Sequence, residues 1–331
     1  MSARPVGKRD RAGLRASVAV VVGVVGALVL AACGGSGGQA EYPTRDIQII
    51  VPYPAGSAID TTSRALAEVM NEEGKLGRRV QVVNRAGGAG SVGTTAVLNA
   101  KPDGYTVGIV PDGPLTLIPR TEKVSYDPTA ITVIGEVTTS PILFAVPGDS
   151  PYKDIGDLVA AAKAQPGAIT IAEGPLNYAI PARKFEQLTG TRFKHVKFDG
   201  DQATVTAMLG GNVDVGVMQL AGGMAQMASG KIRGLAIASA KPVGLAPNIP
   251  TFTAQQIELQ WEAYNVMIAP KGLPADVTRK LGEAFGSAVK SQKFAEAARR
   301  LGLVVSGADA ATAKVRLDEK TEAAELPASS Q

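Results

Sequence analysis

Cys33 is the only thiol of this chain, and the residues before it indicate which chemistry it undergoes. It ends the run Leu30-Ala31-Ala32-Cys33, which follows five basic residues and the uncharged apolar segment 16–32. A basic head, an apolar core and small residues before a cysteine are typical of a bacterial export signal whose cysteine is acylated. We expect residues 1–32 to be a cleaved lipoprotein signal peptide, residues 33–41 a flexible tether, and Cys33 the lipid carrier. An uncleaved membrane helix is the alternative, since the apolar segment is near the lower length limit for crossing a bilayer.

His195 is the only histidine, and its surroundings give little support to catalysis. It lies in the segment 193–198 (FKHVKF), where apolar and polar residues alternate as in a β-strand. One histidine cannot build a multi-histidine metal site, and it has no cysteine partner for thiol catalysis. We expect a surface or hydrogen-bonded strand histidine and predict no catalytic, metal or cofactor site. Asp214, near the start of a later strand pattern, is a candidate to point into a ligand cleft, with a solvated acid as the alternative.

The segment 51–60 (VPYPAGSAID) ends an apolar run and opens a helical pattern. Ser57 and Asp60 fit the S-x-x-D capping box, in which each side chain binds a free backbone N–H of the first turn. Because the residues just before Ser57 are small or cyclic, the positive end of that helix could bind a carboxylate. A plain helix start is the alternative, and we expect Asp60 to face the backbone. The candidate ligand-binding residues are Tyr53, Ala55, Gly56 and Ser57.

A second turn, 84–93 (NRAGGAGSVG), also follows an apolar run and opens a helical pattern. Three of its glycines, beginning at Gly88, fit G-x-G-x-x-G, and Asp112 stands about where a ribose-binding acid would follow. This spacing leaves an exported dinucleotide-dependent enzyme open, although export argues against a soluble cofactor. We favour a turn that approaches a small ligand through Gly88 and Ser91, and a pure packing turn is the other alternative.

The charge balance argues against a nucleic-acid partner. Of the 34 Lys and Arg and 30 Asp and Glu residues, five basic and one acidic lie in residues 1–32, so the rest of the chain carries 29 of each. No block of basic residues interleaved with aromatics remains to bind DNA or RNA. With a single cysteine there is no internal disulfide, so an apolar core must hold the fold together.

Strand and helix patterns alternate along the chain, which predicts an α/β fold with a mostly parallel sheet. The predicted strands are 47–51, 80–83, 105–110, 142–146, 169–171, 213–217 and 232–238. The predicted helices are 61–71, 92–99, 152–164, 182–188, 275–289 and 293–301, followed by a polar, Ala-rich tail that we expect to fray. Two lobes are predicted, the first from 42–142 and 237–331 and the second from 143–236.

A set of short segments runs through nearly all of the chain after residue 41. They are Tyr42-Pro-Thr-Arg-Asp-Ile47, Val51-Pro-Tyr-Pro-Ala-Gly56 with Asp60, Asn84-Arg85 with its glycine turn, Lys101-Pro-Asp-Gly-Tyr105, Tyr126-Asp-Pro128, Gln187-Leu-Thr-Gly190, Met208-Leu-Gly-Gly211 with Val213-Asp214, Gly230-Lys-Ile-Arg-Gly-Leu-Ala236 and Asn248-Ile-Pro-Thr251. Each is weak alone, but in this order they resemble the extracytoplasmic solute receptors of the tripartite tricarboxylate transporter family.

The resemblance implies a two-lobed, type II periplasmic-binding-protein fold with a ligand cleft between the lobes. Such a receptor closes on a small organic carboxylate and delivers it to membrane subunits of a transporter. The resemblance places ligand contacts on the loop 53–57 and the turn 87–91 of the first lobe, and on the loop 173–179, with Gly174 and Asn177, of the second. It also implies recognition largely by backbone N–H groups and bridging waters. We expect the protein to be a monomer.

The sequence departs from the family pattern in both lobes. Ser57 stands where the family often has a second glycine, and Leu176 and Tyr178 occupy a loop that is often rich in Gly and Ser. These bulky residues change the second wall of the cleft, and Glu173 would repel a second carboxylate if it faced that cleft. We predict a lipid-anchored, extracytoplasmic, non-enzymatic receptor for a small organic acid; a sensor subunit that signals through a partner is a further alternative.

Overall fold

The fold is built on a mixed sheet in which one long strand, Ile131–Pro147, belongs to both halves. The computed structural model describes residues 1–3, 41–174 and 176–324, so Cys33, nearly all of the predicted signal segment and most of the tether lie outside the described residues. Within them, ten strands and eleven helices belong to one unit, Pro43–Gln331. The strands are β1 (Ile47–Val51), β2 (Val80–Asn84), β3 (Thr106–Pro111), β4 (Ile131–Pro147), β5 (Thr170–Glu173), β6 (Lys194–Lys197), β7 (Val215–Gln219), β8 (Ile232–Ile237), β9 (Glu262–Pro270) and β10 (Val304–Val305). The helices are α1 (Ala58–Glu73), α2 (Ser91–Leu98), α3 (Gly113–Thr116), α4 (Ile118–Thr121), α5 (Ile155–Ala164), α6 (Leu176–Thr189), α7 (Asp201–Leu209), α8 (Leu220–Ala228), α9 (Ala275–Val289), α10 (Gln292–Arg300) and α11 (Ala310–Ala323).

The two halves repeat one strand order. The first lobe has the order β2-β1-β3-β9-β4, and the second has β6-β5-β7-β4 with β8 on the far side of β4. Strand β4 pairs with β9 over residues 131–141 and with β7 and β8 over residues 142–147. The chain therefore passes from one lobe to the other within β4. The predicted lobe boundaries stay a prediction. Strand β4 changes its pairing partners after residue 141, next to the predicted boundary at residue 142.

The prediction of a mostly parallel sheet is wrong, although each predicted strand forms. Strands β2 and β3 are parallel to β1, and β6 and β7 are parallel to β5. Strand β9 is antiparallel to β3 and β4, and β4 is antiparallel to β7 and β8. The two long strands that connect the lobes must run against their neighbours, because each enters its sheet from the opposite lobe.

Helix α6 begins at Leu176, six residues earlier than predicted, so the expected loop 173–179 is wrong beyond its first residues. Pro181 lies inside this helix and has no N–H to donate to the carbonyl of Asn177. That carbonyl instead accepts a hydrogen bond from Trp261 Nε1 at 3.0 Å. An external donor thus satisfies the group that the proline leaves unpaired, and the helix extends to Leu176.

Helix α11 replaces the fraying tail that the sequence predicts. Asp309 caps it by accepting from the Thr312 N–H at 2.8 Å. Its first half packs through Ala313 and Leu317 into the first-lobe core, and Ala324, just after its end, packs into the main core of the second lobe. The helix therefore spans both cores. Within the described residues, no helix has the length and apolar composition needed to cross a membrane.

Candidate functional site

A cavity of about 670 Å³ opens between the two lobes. Its first-lobe wall comes from the loop that precedes α1, the first residues of α1, the end of β3 and helices α3 and α4. Its second-lobe wall comes from the start of α6 and from Gln219, and Ser140 of β4 and residues 263–265 of β9 form its floor. This volume lies within the range of small-molecule binding sites.

The N-terminus of α1 forms part of the cavity wall, with Ser57 as its cap. The Ser57 hydroxyl donates to the Pro54 carbonyl at 2.7 Å and accepts from the Asp60 N–H at 3.4 Å. The N–H groups of Ala58 and Ile59, the first two residues of the helix, have no acceptor within an α-helix, and both residues line the cavity. A helix N-terminus with free N–H groups and a positive dipole is an anion-binding arrangement.

Asp60 faces the protein and not the cavity, as predicted. Its carboxylate accepts from the Gly56 N–H at 2.9 Å, from Asn84 Nδ2 at 2.8 Å and from Arg64 Nε at 3.1 Å. Burial alone would raise the pKa of Asp60, but the hydrogen bonds from Arg64, Gly56 and Asn84 lower it. Because Asp60 binds the N–H of Gly56 and not that of Ser57, the arrangement is a one-sided version of the expected capping box. It fixes the loop that carries the helix start.

The glycine turn packs against this loop, which removes the basis of the dinucleotide alternative. A Cβ on Gly90 would lie 2.9 Å from Pro114 Cγ, and a Cβ on Gly93 would lie 2.6 Å from the Pro52 Cα. Pro114 thus occupies the space beside Gly90, the second glycine, where a pyrophosphate would approach the backbone. Close packing at the third glycine, Gly93, occurs in dinucleotide-binding turns as well. Tyr53 Oη donates to the Ala89 carbonyl at 3.0 Å and closes the contact. Burial, and secondarily the charge of Asp112, raises the pKa of Tyr53.

Asp112 is already paired, so it is not a free acid for a ribose. Its side chain lies at the end of β3 on the cavity wall, is only 2% exposed and forms an ion pair with Lys320. The ammonium of Lys320 also donates to Asn177 Oδ1 at 3.1 Å and to the carbonyl of Glu262. Burial lowers the pKa of Lys320, and the charge of Asp112 opposes that shift. No sequence pattern selects Lys320, because it lies in the segment expected to fray.

The second wall is polar where α6 begins. Asn177 Oδ1 accepts from both Trp261 Nε1 and Lys320 Nζ, which fixes the side-chain amide with its NH₂ group on the other side. Gln219 Oε1 accepts from the Ser140 hydroxyl at 3.0 Å. The α6 N–H groups of Leu176 and Asn177 have no acceptor within the helix, and both residues line the cavity. A second helix N-terminus therefore faces the same space from the opposite lobe.

Three of the predicted ligand-binding residues line this cavity: Tyr53, Ser57 and Asn177. The structure places the other predicted ligand-binding residues outside the cavity wall; they are Ala55, Gly56, Gly88, Ser91, Gly174 and Asp214. Asp214 instead binds the first residue of β5. Its carboxylate accepts from the N–H and the hydroxyl of Thr170 at 2.7 and 2.6 Å. Gly174 makes room for Tyr178, since a Cβ there would lie 2.5 Å from the ring.

Glu173 and His195 form a separate, partly buried cluster in the second lobe. His195 lies on β6, with Nδ1 2.8 Å from Glu173 Oε2 and Nε2 2.9 Å from Glu186 Oε2. The hydrogen bonds to the two carboxylates raise the pKa of His195 to about 9, and the bond to His195 is the main cause that lowers the pKa of Glu173. The prediction of a hydrogen-bonded strand histidine is confirmed. Glu173 is 2% exposed and does not line the cleft.

A partly buried ion cluster lies behind the cavity floor and joins α11 to the two connecting strands. Arg316 donates to Glu136 of β4 at 2.6 Å and to Glu262 of β9 at 2.8 Å. Burial raises the pKa of Glu136, and hydrogen bonding from Ser306 and the charge of Arg316 oppose the shift. Together with Lys320, this cluster fixes α11 beside the strands that link the lobes. No local pattern in the sequence marks these contacts, since each partner comes from a distant segment.

Known proteins match most of the chain. The family model described as the tripartite tricarboxylate transporter family receptor matches residues 62–325. A Cupriavidus necator protein, named as a UPF0065 protein of the gbd 5' region, is 30% identical over 290 residues, which is 86% of this chain and 85% of that protein. A TctC solute binding protein from Polaromonas, solved without ligand, has a TM-score of 0.79 and 25% identity over 86% of this chain and 97% of that one.

A protein from R. palustris solved with adipate shares the fold, with a TM-score of 0.69 and 22% identity over 85% of this chain and 95% of that one. The likeness to the solved solute-binding proteins and the strand order identify the architecture as the two-lobed periplasmic-binding-protein fold. The predicted fold class is confirmed.

Proposed function

Because this chain belongs to the tripartite tricarboxylate transporter receptor family, whose members are solute-binding receptors and not enzymes, we propose that it binds a small organic carboxylate in the interlobe cavity. The bound, closed form is then presented to membrane subunits of a transporter of that family. The R. palustris protein that holds adipate supports a carboxylate as the ligand class. Residues 1–33 support an extracytoplasmic location, with the protein anchored to the cell membrane by a lipid on Cys33.

The observation that carries the proposal is the convergence of two helix N-termini on one cavity. Helix α1 contributes Ala58 and Ile59 from the first lobe, and α6 contributes Leu176 and Asn177 from the second. A carboxylate between them would accept from backbone N–H groups of both lobes, with waters completing the shell. Because the ligand would bind both lobes at once, it stabilises the closed arrangement over an open one.

A proline at the first position of α1 tests the site without disturbing the helix. Proline is well tolerated at this position, and Ser57 already has the extended backbone, φ −65° and ψ 159°, that precedes proline readily. Ala58→Pro therefore removes one N–H from the cavity wall. Ala275→Pro is the matched control, because Ala275 is the exposed first residue of α9 and lies outside the cavity.

We expect calorimetry with a panel of organic acids to find a ligand for the full-length protein. Its affinity should fall at least fivefold in Ala58→Pro and stay unchanged in Ala275→Pro, a difference of about 1 kcal/mol or more for one lost hydrogen bond to a charged group. Equal affinities in the two variants would contradict the placement of the carboxylate at α1. A folded protein that binds no acid of the panel would contradict the receptor proposal itself.

The anchor is tested separately by Cys33→Ser in the full-length chain. We expect the wild-type protein to partition with membranes and to carry a mass increment of diacylglycerol and fatty acid at Cys33. The variant should lose the lipid mass. An unmodified wild-type thiol would contradict the lipoprotein proposal and would leave the ligand proposal intact.

A further inference from the structure

The charges around the cavity restrict which carboxylates it accepts. Among the described residues that line it, the charged ones are Asp112 and Glu122, and none is Lys or Arg. Lys320 stands behind the wall, but its ammonium is committed to Asp112, Asn177 and a backbone carbonyl. The pair of Asp112 and Lys320 contributes no net charge. Glu122 is exposed at the edge of the cavity and has no ion-pair partner among the described residues.

Among the described helices of eight residues or more, α1 and α6 are those whose first residues line the cavity, and their N-termini contribute positive potential there. Each is equivalent to about half an elementary charge, so α1 and α6 together balance about one negative charge. A single carboxylate matches this potential. A second one would stay unbalanced in a site partly removed from water, with Glu122 nearby and Asp201, behind Gln219, adding a further acid close to the wall.

About half of the residues that line the cavity are apolar, and they suit a hydrocarbon body. They include Ile59, Pro114, Leu117, Ile118, Leu176 and Leu303. Burying apolar ligand surface against them contributes about 25 cal/mol per Å². Leu176 stands at the first position of α6, and its side chain adds apolar surface to the second-lobe wall.

We propose that this receptor selects a monocarboxylate with an apolar body over dicarboxylates and tricarboxylates of the same length. The inference rests on the proposed carboxylate-receptor function and narrows its ligand class. It separates this chain from the R. palustris protein that was solved with the dicarboxylate adipate, with which it shares the fold.

Length-matched acids test the proposal directly. Binding of hexanoate and adipate, and of benzoate and terephthalate, is measured by calorimetry on the full-length protein at neutral pH. We expect the better-bound monocarboxylate to be favoured at least tenfold over its diacid partner. A diacid that binds as tightly as its partner, or more tightly, overturns the monocarboxylate assignment and leaves the receptor function standing. If the folded protein binds none of these acids and no acid of the wider panel, both proposals are overturned.

If the missing positive charge sets the selectivity, a cation added at the cavity edge should reduce the preference for monocarboxylates. Thr121 is exposed and lines the cavity, so Thr121→Lys places an ammonium there with little cost to the fold. Leu188→Lys adds the same charge on α6 outside the cavity, at a residue that is 52% exposed. We expect Thr121→Lys to reduce the monoacid preference threefold or more and Leu188→Lys to leave it unchanged. An unchanged preference in Thr121→Lys would overturn the charge argument.

Discussion

Removal of the Lys320 ammonium tests whether its buried ion pair with Asp112, on the cavity wall, stabilises the fold. Lys320 is 6% exposed and Asp112 is 2% exposed, so Lys320→Met leaves a buried carboxylate without its cation. Methionine fills nearly the same volume as the lysine stem, so little packing is lost. The substitution also removes the donor to Asn177 Oδ1 at 3.1 Å. The perturbation is therefore electrostatic.

The expected loss in the free energy of unfolding is about 3 to 5 kcal/mol, the usual cost of removing one partner from a buried ion pair. A second change, Asp112→Asn in the Lys320→Met background, removes the uncompensated charge and should restore a large part of that loss. Lys314→Met is the matched control on the same helix, because the exposed pair of Lys314 and Asp318 should contribute about 0 to 1 kcal/mol.

Urea unfolding of the full-length protein and its variants measures these differences, provided that the slopes of the transitions agree. Lys320→Met should lose several times more stability than Lys314→Met, and the double variant should recover. If Lys320→Met costs no more than Lys314→Met, or if the double variant is less stable than the single one, the assignment of a stabilising buried pair is refuted.

Three further changes test local contacts. Ser57→Ala should lower the free energy of unfolding by about 1 kcal/mol through loss of the α1 cap, as measured in urea. Gly174→Ala should cost about 1 to 3 kcal/mol because the new Cβ would meet the Tyr178 ring at 2.5 Å, whereas Gly244→Ala, with nothing within 4 Å, should be neutral. The pKa of His195 is raised from about 6.5 to about 9, so its pairs should stabilise the fold fully below pH 6.5 and progressively less as pH rises to 9. Wild type should lose stability relative to His195→Gln over that interval, and a pH-independent difference would contradict the pairing.

Local sequence signals predicted much of the first lobe. The apolar run 47–51, the small loop after it and Ser57 as a cap all form as expected, because each depends on neighbouring residues. The prediction α9 (Ala275–Val289) is correct at both ends because an amphipathic pattern begins directly after Pro274. The direction of β9 could not be predicted in this way, since it depends on how the chain returns from the second lobe.

The start of α6 shows why the second wall was misjudged. Pro181 favours an interruption in any local interpretation of the sequence, and the predicted helix accordingly began just after it. The carbonyl that the proline leaves unpaired is satisfied by the Trp261 indole, which comes from a distant part of the chain. Tertiary contact therefore decided a boundary that local propensity placed elsewhere.

The same limit explains why the predicted site held glycines and an acid that the cavity does not use. Position along the chain selected Gly88, Asp112 and Asp214 for possible ligand contact, but position does not reveal whether another protein group already binds a side chain. Asp112 is neutralised by Lys320 and Asp214 binds Thr170, so neither acid is free to select a ligand. In the proposed site the carboxylate is bound by the backbone N–H groups of two helices, whose positions depend on the fold. If the proposed site is correct, the charge and size of wall residues such as Leu176 and Glu122 can change the ligand class while the backbone N–H groups that bind the carboxylate stay the same.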